Sequence, residues 1–255
     1  MASVRNFLAL NDDDPKEMTV VDHLDELRRR LIICILTVTV GSVVGWFAAR
    51  PVYLALTRPL FPYIHRSGQE HVTIVLPKIT SGFTLLLEIA VAIGIALGLP
   101  VLLYQAWMFV APAVSVKARR YAIPFVLMGI LLFAIGATVG YFLFPRVIGF
   151  LVGISTGLDG AQFFLQLPEY VSQFALVMLI FGAIFEMPVI LTFLAQIGVV
   201  TSRFLRKHRK HAGMIGLISA MIITPGADPF TPFITAAIVY LLYEFSIILV
   251  RAIHR

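Results

Sequence analysis

Two stretches of the chain carry residues whose types and spacing could do chemistry. The first, "FGAIFEMPVI" from Phe181 to Ile190, sets the carboxyl group of Glu186 inside a long apolar run. A charged side chain at mid-membrane costs on the order of 3 kcal/mol on insertion scales, so this acid is expected to be neutral, reached by water or paired. Pro188, two residues on, has no N–H to give and would free the carbonyl of Ile184, making that turn locally polar. The second stretch is "DHLDELRRRL", Asp22 to Leu31. Asp22, Asp25 and Glu26 share about one and a half helical turns, a patch able to hold guanidinium groups through charge-assisted, forked hydrogen bonds. Local pairing with Arg28 to Arg30, together with compensation of the helix dipole, is the competing reading of the same acids. Leu24, Leu27 and Leu31 recur at spacings of three and four, which predicts an amphipathic lead-in helix lying parallel to a membrane surface.

Other chemistry finds little support. The sequence contains no GxSxG, HExxH or CxxC, and His208 with His211 stands in a basic run that would repel a metal ion, so neither an enzyme nor a metal or cofactor site is expected. Cys34 has no second cysteine to pair with and reads as a small packing residue. Glu88 and Glu244 also fall in apolar segments, nearer their ends, where headgroup water can reach them.

The elements that position these residues must live in a bilayer. With 59% hydrophobic and 13% charged residues among 255, and a mean hydropathy of +0.92, the chain cannot hide its apolar surface in one soluble core. Asp12, Asp13 and Asp14 stand where a cleaved signal would carry basic residues, so the first apolar run is expected to remain. Crossing ~30 Å of hydrocarbon takes about 20 helical residues. Six runs qualify as spans: Leu31 to Ala49, Gly82 to Val110, Tyr121 to Phe144, Tyr170 to Val200, and two expected to be short, Gly213 to Thr224 and Pro232 to Val250. A re-entrant hairpin is the alternative for the fifth run, but basic residues on both flanks of the last pair favour crossing and return.

Arg28 to Arg30, Lys117, Arg119, Arg120, the five basic residues of "RFLRKHRK", Arg251 and Arg255 fall on one side, thirteen against the five of Arg50, Arg58, Arg66, Lys78 and Arg146. The positive-inside rule then puts both termini in the cytoplasm and accounts for the net charge of +6 without nucleic acid. The outer connections look like caps. "PVYLALTRPLFPYI" suggests a short surface helix broken at Pro59 and Pro62, and Pro145 to Glu169 a second cap. Pro100 and Pro188 should bend the second and fourth spans and leave a concave face. Gly41 with Gly45, Gly94 with Gly98, and Gly136 with Gly140 let helix backbones approach, expected within one chain rather than across a dimer. A polar, mobile tail over residues 1–20 and a single six-helix membrane domain over 21–255 complete this reading, an all-α integral membrane protein.

"HLDELRRRL" before the first span, "LPVLLYQAWMFVAPAV" at the end of the second, "FGAIFEMPVI" in the fourth and "TPGADPF" between the last two occur in this order and topology. Together they resemble the TatC family, the multispanning receptor subunit of the twin-arginine protein translocase, across about residues 18 to 250. The resemblance implies a concave, glove-like bundle in the cytoplasmic (inner) membrane of a prokaryote. It implies binding of twin-arginine signal peptides of folded proteins, partners of the TatA and TatB type, self-association, and export driven by the proton-motive force. By matching motifs, recognition falls to Glu26 with Asp25 alongside and Arg28 shaping the site, and to Gln105, Phe109 and Pro112. Glu186 becomes a polar anchor facing the groove, and Asp228 the acid of the outer turn. One departure stands out: "VSVKARR" carries Ala118 where the family usually has a glutamate before paired basic residues. Outside this resemblance, a solute or ion transporter using Glu186 as a proton relay and a purely structural scaffold are the competing functions.

Overall fold

The computed structural model describes residues 20–60, 62, 72–110, 122–155, 163–223 and 230–253. These residues are mostly helical. Helix α1 (Val20–Thr57) runs antiparallel to α2 (Ser81–Val110), and α3 (Ala122–Ser155) runs antiparallel to α4 (Leu167–Phe185), which α5 (Met187–Gln196) continues. The short α6 (Ser202–Lys207) and α7 (Arg209–Ile223) follow, and α8 (Phe230–Ile253) closes the chain. Among the described residues, five helical stretches are long and apolar enough to cross a membrane: Val21–Leu60, Ser81–Phe109, Ala122–Ile154, Leu167–Gln196 and Thr231–Ala252. The 15 residues of α7 cover only about 22 Å at 1.5 Å each, less than the hydrocarbon thickness. The most apolar window of α1 is only 6% buried, and the exposed face includes Phe47 and Val43. In water such a face would be costly, whereas in lipid it is the ordinary condition.

Glycines set the helix spacing. A Cβ on Gly45 would lie 2.6 Å from the Ala90 carbonyl oxygen, and one on Gly41 2.8 Å from that of Gly94, so α1 and α2 touch backbone to backbone. Gly136 meets the Phe181 carbonyl in the same way, at 2.4 Å, and Gly140 packs on Met178. All three small-residue pairs thus serve packing within the chain, as expected of them.

Several boundaries differ from those read in the sequence. The acidic lead-in is not a separate surface helix but the first turns of α1, because no Gly or Pro interrupts the chain between Val20 and Val40. At the other end α1 continues through Pro51 to Thr57, its extension held by hydrogen bonds from the Tyr141 hydroxyl to the Ala55 carbonyl (3.3 Å) and from Tyr170 to Leu56 (3.4 Å). It stops just before Arg58 and Pro59, where a single 3-10 turn, Arg58–Leu60, takes over, so the predicted break at Pro59 is present. Helix α3 likewise passes Pro145 and ends at Ser155 instead of Phe144. The two predicted caps are joined by strands, so the described residues are not all-α. β1 (Val72–Val75) pairs with β2 (Phe163–Gln166) in parallel, Val72 opposite Phe163 and Val75 opposite Gln166. Parallel pairing follows from what comes next, since each strand leads into a helix, α2 or α4, running in the same sense.

The basic run between the expected fourth and fifth spans is helical. Thr201 caps α6 by accepting a hydrogen bond from the Phe204 N–H at 3.2 Å, and α7 begins after one non-helical residue, His208. The last span is not short, for α8 has 24 residues. Of the two prolines expected to bend spans, Pro100 lies within an unbroken α2, whereas Pro188 accompanies a break between α4 and α5.

Candidate functional site

Helix α2 organises the candidate residues because its last turns have two working faces. Residues four apart share a side of a helix, and those two apart lie on nearly opposite sides. Gln105 and Phe109 accordingly face the first turns of α1, while Leu103 and Trp107 face α3 and α5.

On the α1 side, Arg30 joins two residues singled out in the sequence. Its Nε donates to Glu26 Oε1 at 3.1 Å, its Nη2 donates to the same oxygen, and its Nη1 donates to Gln105 Oε1 at 3.0 Å. The Glu26 and Arg30 side chains are 19% and 18% exposed, so the pair is shielded enough to matter more than an open surface bridge. Glu26 Oε2 is buried and has no hydrogen-bond partner among the described residues. One turn earlier, His23 stacks on Phe109 with ring centroids 4.4 Å apart. Asp25 and Arg28 are exposed on α1. The guanidinium that engages Glu26 is therefore that of Arg30, not Arg28. Glu26 and Arg30 stand four apart, a spacing that signals pairing, but nothing in the sequence linked Arg30 to Gln105, 75 positions away. Pro112, Ala118 and Asp228 lie outside the described residues.

On the opposite side, Trp107 is 2% exposed and packs between Phe125 of α3 and Phe193 of α5, at centroid distances of 4.7 and 4.6 Å. This aromatic cluster is a structural joint of three helices. Near it, Glu186 occupies the break in the fourth span and caps both α4 and α5. Its N–H donates to the Ala183 carbonyl at 3.1 Å, a tightened turn, and its own carbonyl accepts from the Ile190 N–H at 2.9 Å. Pro188 sits in the first turn of α5, where its missing N–H is least costly. The Glu186 side chain is 5% exposed, and neither carboxyl oxygen has a partner among the described residues. It points at Gly129 of α3, where an added Cβ would be 2.9 Å from Oε2. Gly129 was not singled out in the sequence. An isolated glycine carries no such signal until its neighbour across the helix interface is known.

The other acids divide. Glu244 of α8 accepts a hydrogen bond from Arg209 Nη2 at 2.7 Å, and the adjacent Tyr243 hydroxyl donates to the Leu205 carbonyl at 2.8 Å. Both contacts fasten the basic α6–α7 segment to α8. Glu88 is exposed on α2. No cluster of three or more His, Cys, Asp or Glu able to hold a metal occurs among the described residues.

Residues 22–237 match the family model described as Sec-independent protein translocase protein (TatC). The chain belongs to the TatC family. The TatC of Desulforapulum autotrophicum is 36% identical over 89% of this chain and 82% of its own length. TatCy of Bacillus subtilis is 34% identical over 94% of this chain and 91% of its own. Among solved structures, a crystal structure of the twin-arginine translocase receptor TatC superposes with a TM-score of 0.74 at 32% identity, covering 91% of this chain and all of that one. A second, of the same receptor in DDM, gives 0.76 at 36% identity over 89% of this chain and 98% of that chain. The matched TatC region holds Glu26, Arg30, Gln105, Phe109 and Glu186. As a TatC protein the chain is a component of a protein translocase.

Proposed function

We propose that this chain is the receptor and organising core of a translocase that exports folded proteins bearing twin-arginine signal peptides, driven by the proton-motive force. Its topology in this reading is six spans with both termini in the cytoplasm of a prokaryote, α7 being the short fifth span in a locally thinned bilayer. The whole of 21–255 forms one glove-like membrane domain.

The observation that supports this reading most is the gathering of Glu26, Gln105 and Phe109 at one end of the α1–α2 pair. A carboxylate beside an amide oxygen suits a guanidinium ligand, because Arg supplies donors in a planar fork that both acceptors can share. Asp25 adds negative charge from the exposed side of α1 and Arg28 shapes the approach, while Pro112 is assigned to recognition by its sequence motif alone. With alanine at position 118, the Glu26 and Asp25 patch carries the electrostatic share of capture. The apolar part of the signal then lies along the bundle, where Ile89, Ile93, Phe133 and Met178 line an apolar hollow of about 130 Å³. Glu186 provides a polar anchor for a single-span partner of the TatA or TatB type, and Asp228 belongs to the turn on the opposite side of the membrane.

Binding and transport separate these roles. Purified protein is titrated with a fluorescent twin-arginine signal peptide and a twin-lysine control, and export of a folded reporter is followed in cells. Glu26→Gln is expected to weaken twin-arginine binding about tenfold or more, a typical loss for one charge-assisted contact. Glu186→Ala is expected to keep that affinity and lose export. Equal loss of peptide binding in both variants would sink the division of labour.

A further inference from the structure

The acid best suited to receive a signal arginine is already engaged by an arginine of the chain itself. Arg30 lies one turn after Glu26 and sets two N–H groups on Oε1, yet the usual fork spreads its two donors over both carboxylate oxygens. Oε2 is left buried and without a donor among the described residues. The remaining edge of the same guanidinium is tied to Gln105 Oε1 at 3.0 Å. Arg30 can therefore let go of Glu26 and stay anchored at Gln105. Its long side chain reaches both acceptors already, so release of one requires only rotation of the side chain.

We infer that Arg30 is a resident guanidinium that sets the specificity of the site, so that signal capture is an exchange of one guanidinium for another at Glu26. The inference rests on the reading that Glu26 receives the signal arginines. Its consequence is discrimination. A lysine offers a compact point charge without a fork and cannot replace two convergent donors. A single arginine replaces Arg30 with its equal, and little is gained. A pair of arginines satisfies Oε1 and Oε2 together while Arg30 keeps Gln105, so only the pair brings donors that the resting site lacks. Competition from inside the chain thus disfavours partial matches, the usual way in which specificity is built as a difference of affinities.

The test uses the full-length protein in detergent or nanodiscs and three fluorescent signal peptides, carrying arginine–arginine, lysine–arginine and lysine–lysine pairs. Arg30→Gln keeps a hydrogen-bonding side chain but removes the competing charge. It is expected to tighten the lysine–arginine peptide about tenfold and to shrink the ratio of affinities between the arginine–arginine and lysine–arginine peptides by a similar factor. Arg30→Lys, which keeps the charge and the bulk but not the fork, is expected to move the ratio in the same direction by less and serves if the glutamine variant does not fold. If Arg30 variants weaken all three peptides alike, Arg30 is a staple between α1 and α2 and the inference fails. An unchanged ratio overturns it as well. Glu26→Gln measured alongside keeps the two failures apart. If Glu26→Gln leaves arginine–arginine binding intact, the receptor reading of Glu26 falls and this inference with it. If Glu26→Gln abolishes binding while the Arg30 variants leave the ratio unchanged, only the inference falls.

Discussion

Glu186 and Gly129 act as one unit across a helix interface. The carboxyl group has its place because position 129 has no side chain: a Cβ there would lie 2.4 Å from Leu103 Cδ1 and 2.9 Å from Glu186 Oε2. Gly129→Ala is therefore expected to destabilise the protein by about 1–3 kcal/mol, the usual range for overpacking, and to push the carboxyl group out of its seat. Because the tighter contact is with the flexible end of Leu103, Leu103→Ala in the same chain should restore much of the lost stability. Thermal unfolding of the purified single and double variants, with export of a folded reporter, measures both effects. Full stability of the Gly129→Ala variant alone would show that the interface yields without cost. Sequence reading found Glu186 through its cost in an apolar run and offered Arg30 as a local partner of the lead-in acids, but it missed Gly129 and the reach of Arg30 to Gln105. Each of those two gains its meaning only from a residue brought near by folding, Glu186 in one case and Gln105 in the other.

At the scale of elements, α1 and α2 form the frame of the candidate recognition site, and glycines set their separation. In a bilayer, burial of apolar surface gives helices little reason to associate, so close van der Waals contact and backbone proximity have to supply it. Of the two glycines on α1, Gly45 makes the tighter contact, against the Ala90 carbonyl, and it lies well away from Glu26 and Gln105. Gly45→Ala should cost about 1–3 kcal/mol in thermal or denaturant unfolding in detergent. Gly82→Ala, where an added Cβ meets nothing within 4 Å, is the control and should leave stability unchanged or slightly raised. Equal behaviour of the two variants would mean that α1 can move away from α2 freely. The fourth span shows a different rule. It divides at Glu186 because Pro188 cannot donate to the carbonyl four residues back, whereas Pro100 is absorbed within α2. Both prolines were legible as places of altered hydrogen bonding, but which helix would part was decided by its neighbours.

At the scale of the whole molecule, the arrangement across the membrane is open to direct measurement. Thirteen basic residues against five argue for cytoplasmic termini. In a Cys34→Ser background, Ile79→Cys should react with a membrane-impermeant thiol reagent added to intact cells. Lys207→Cys should react only after the membrane is opened. Ile79 and Lys207 are both exposed, so accessibility within the chain does not limit either reaction. Labelling of Lys207→Cys from outside would reverse the orientation, and with it the side from which Glu26 meets a ligand. Ala252→Cys, exposed near the end of α8, extends the test to α7, whose 15 residues leave the six-span topology dependent on a thin bilayer beside it: with α7 crossing, this cysteine too reacts only once the membrane is opened.

The sequence by itself determined that the chain lives in a bilayer, where its apolar runs lie, which side its charges favour and which acids are costly. These follow from local composition and from solvation, and both act on each residue wherever the chain goes. Family membership was legible in four short motifs in order. The tertiary structure alone decided that Pro51 and Pro145 would sit inside continuing helices, and that the two long connections after them would pair through parallel strands. It also decided that Arg30 would hold Glu26 to Gln105. Each depends on groups far apart in the chain meeting in space, so its energy is absent from any local window of sequence. A backbone carbonyl freed by a proline, or a carboxylate oxygen left without a donor, acquires its role only from what the fold sets opposite it.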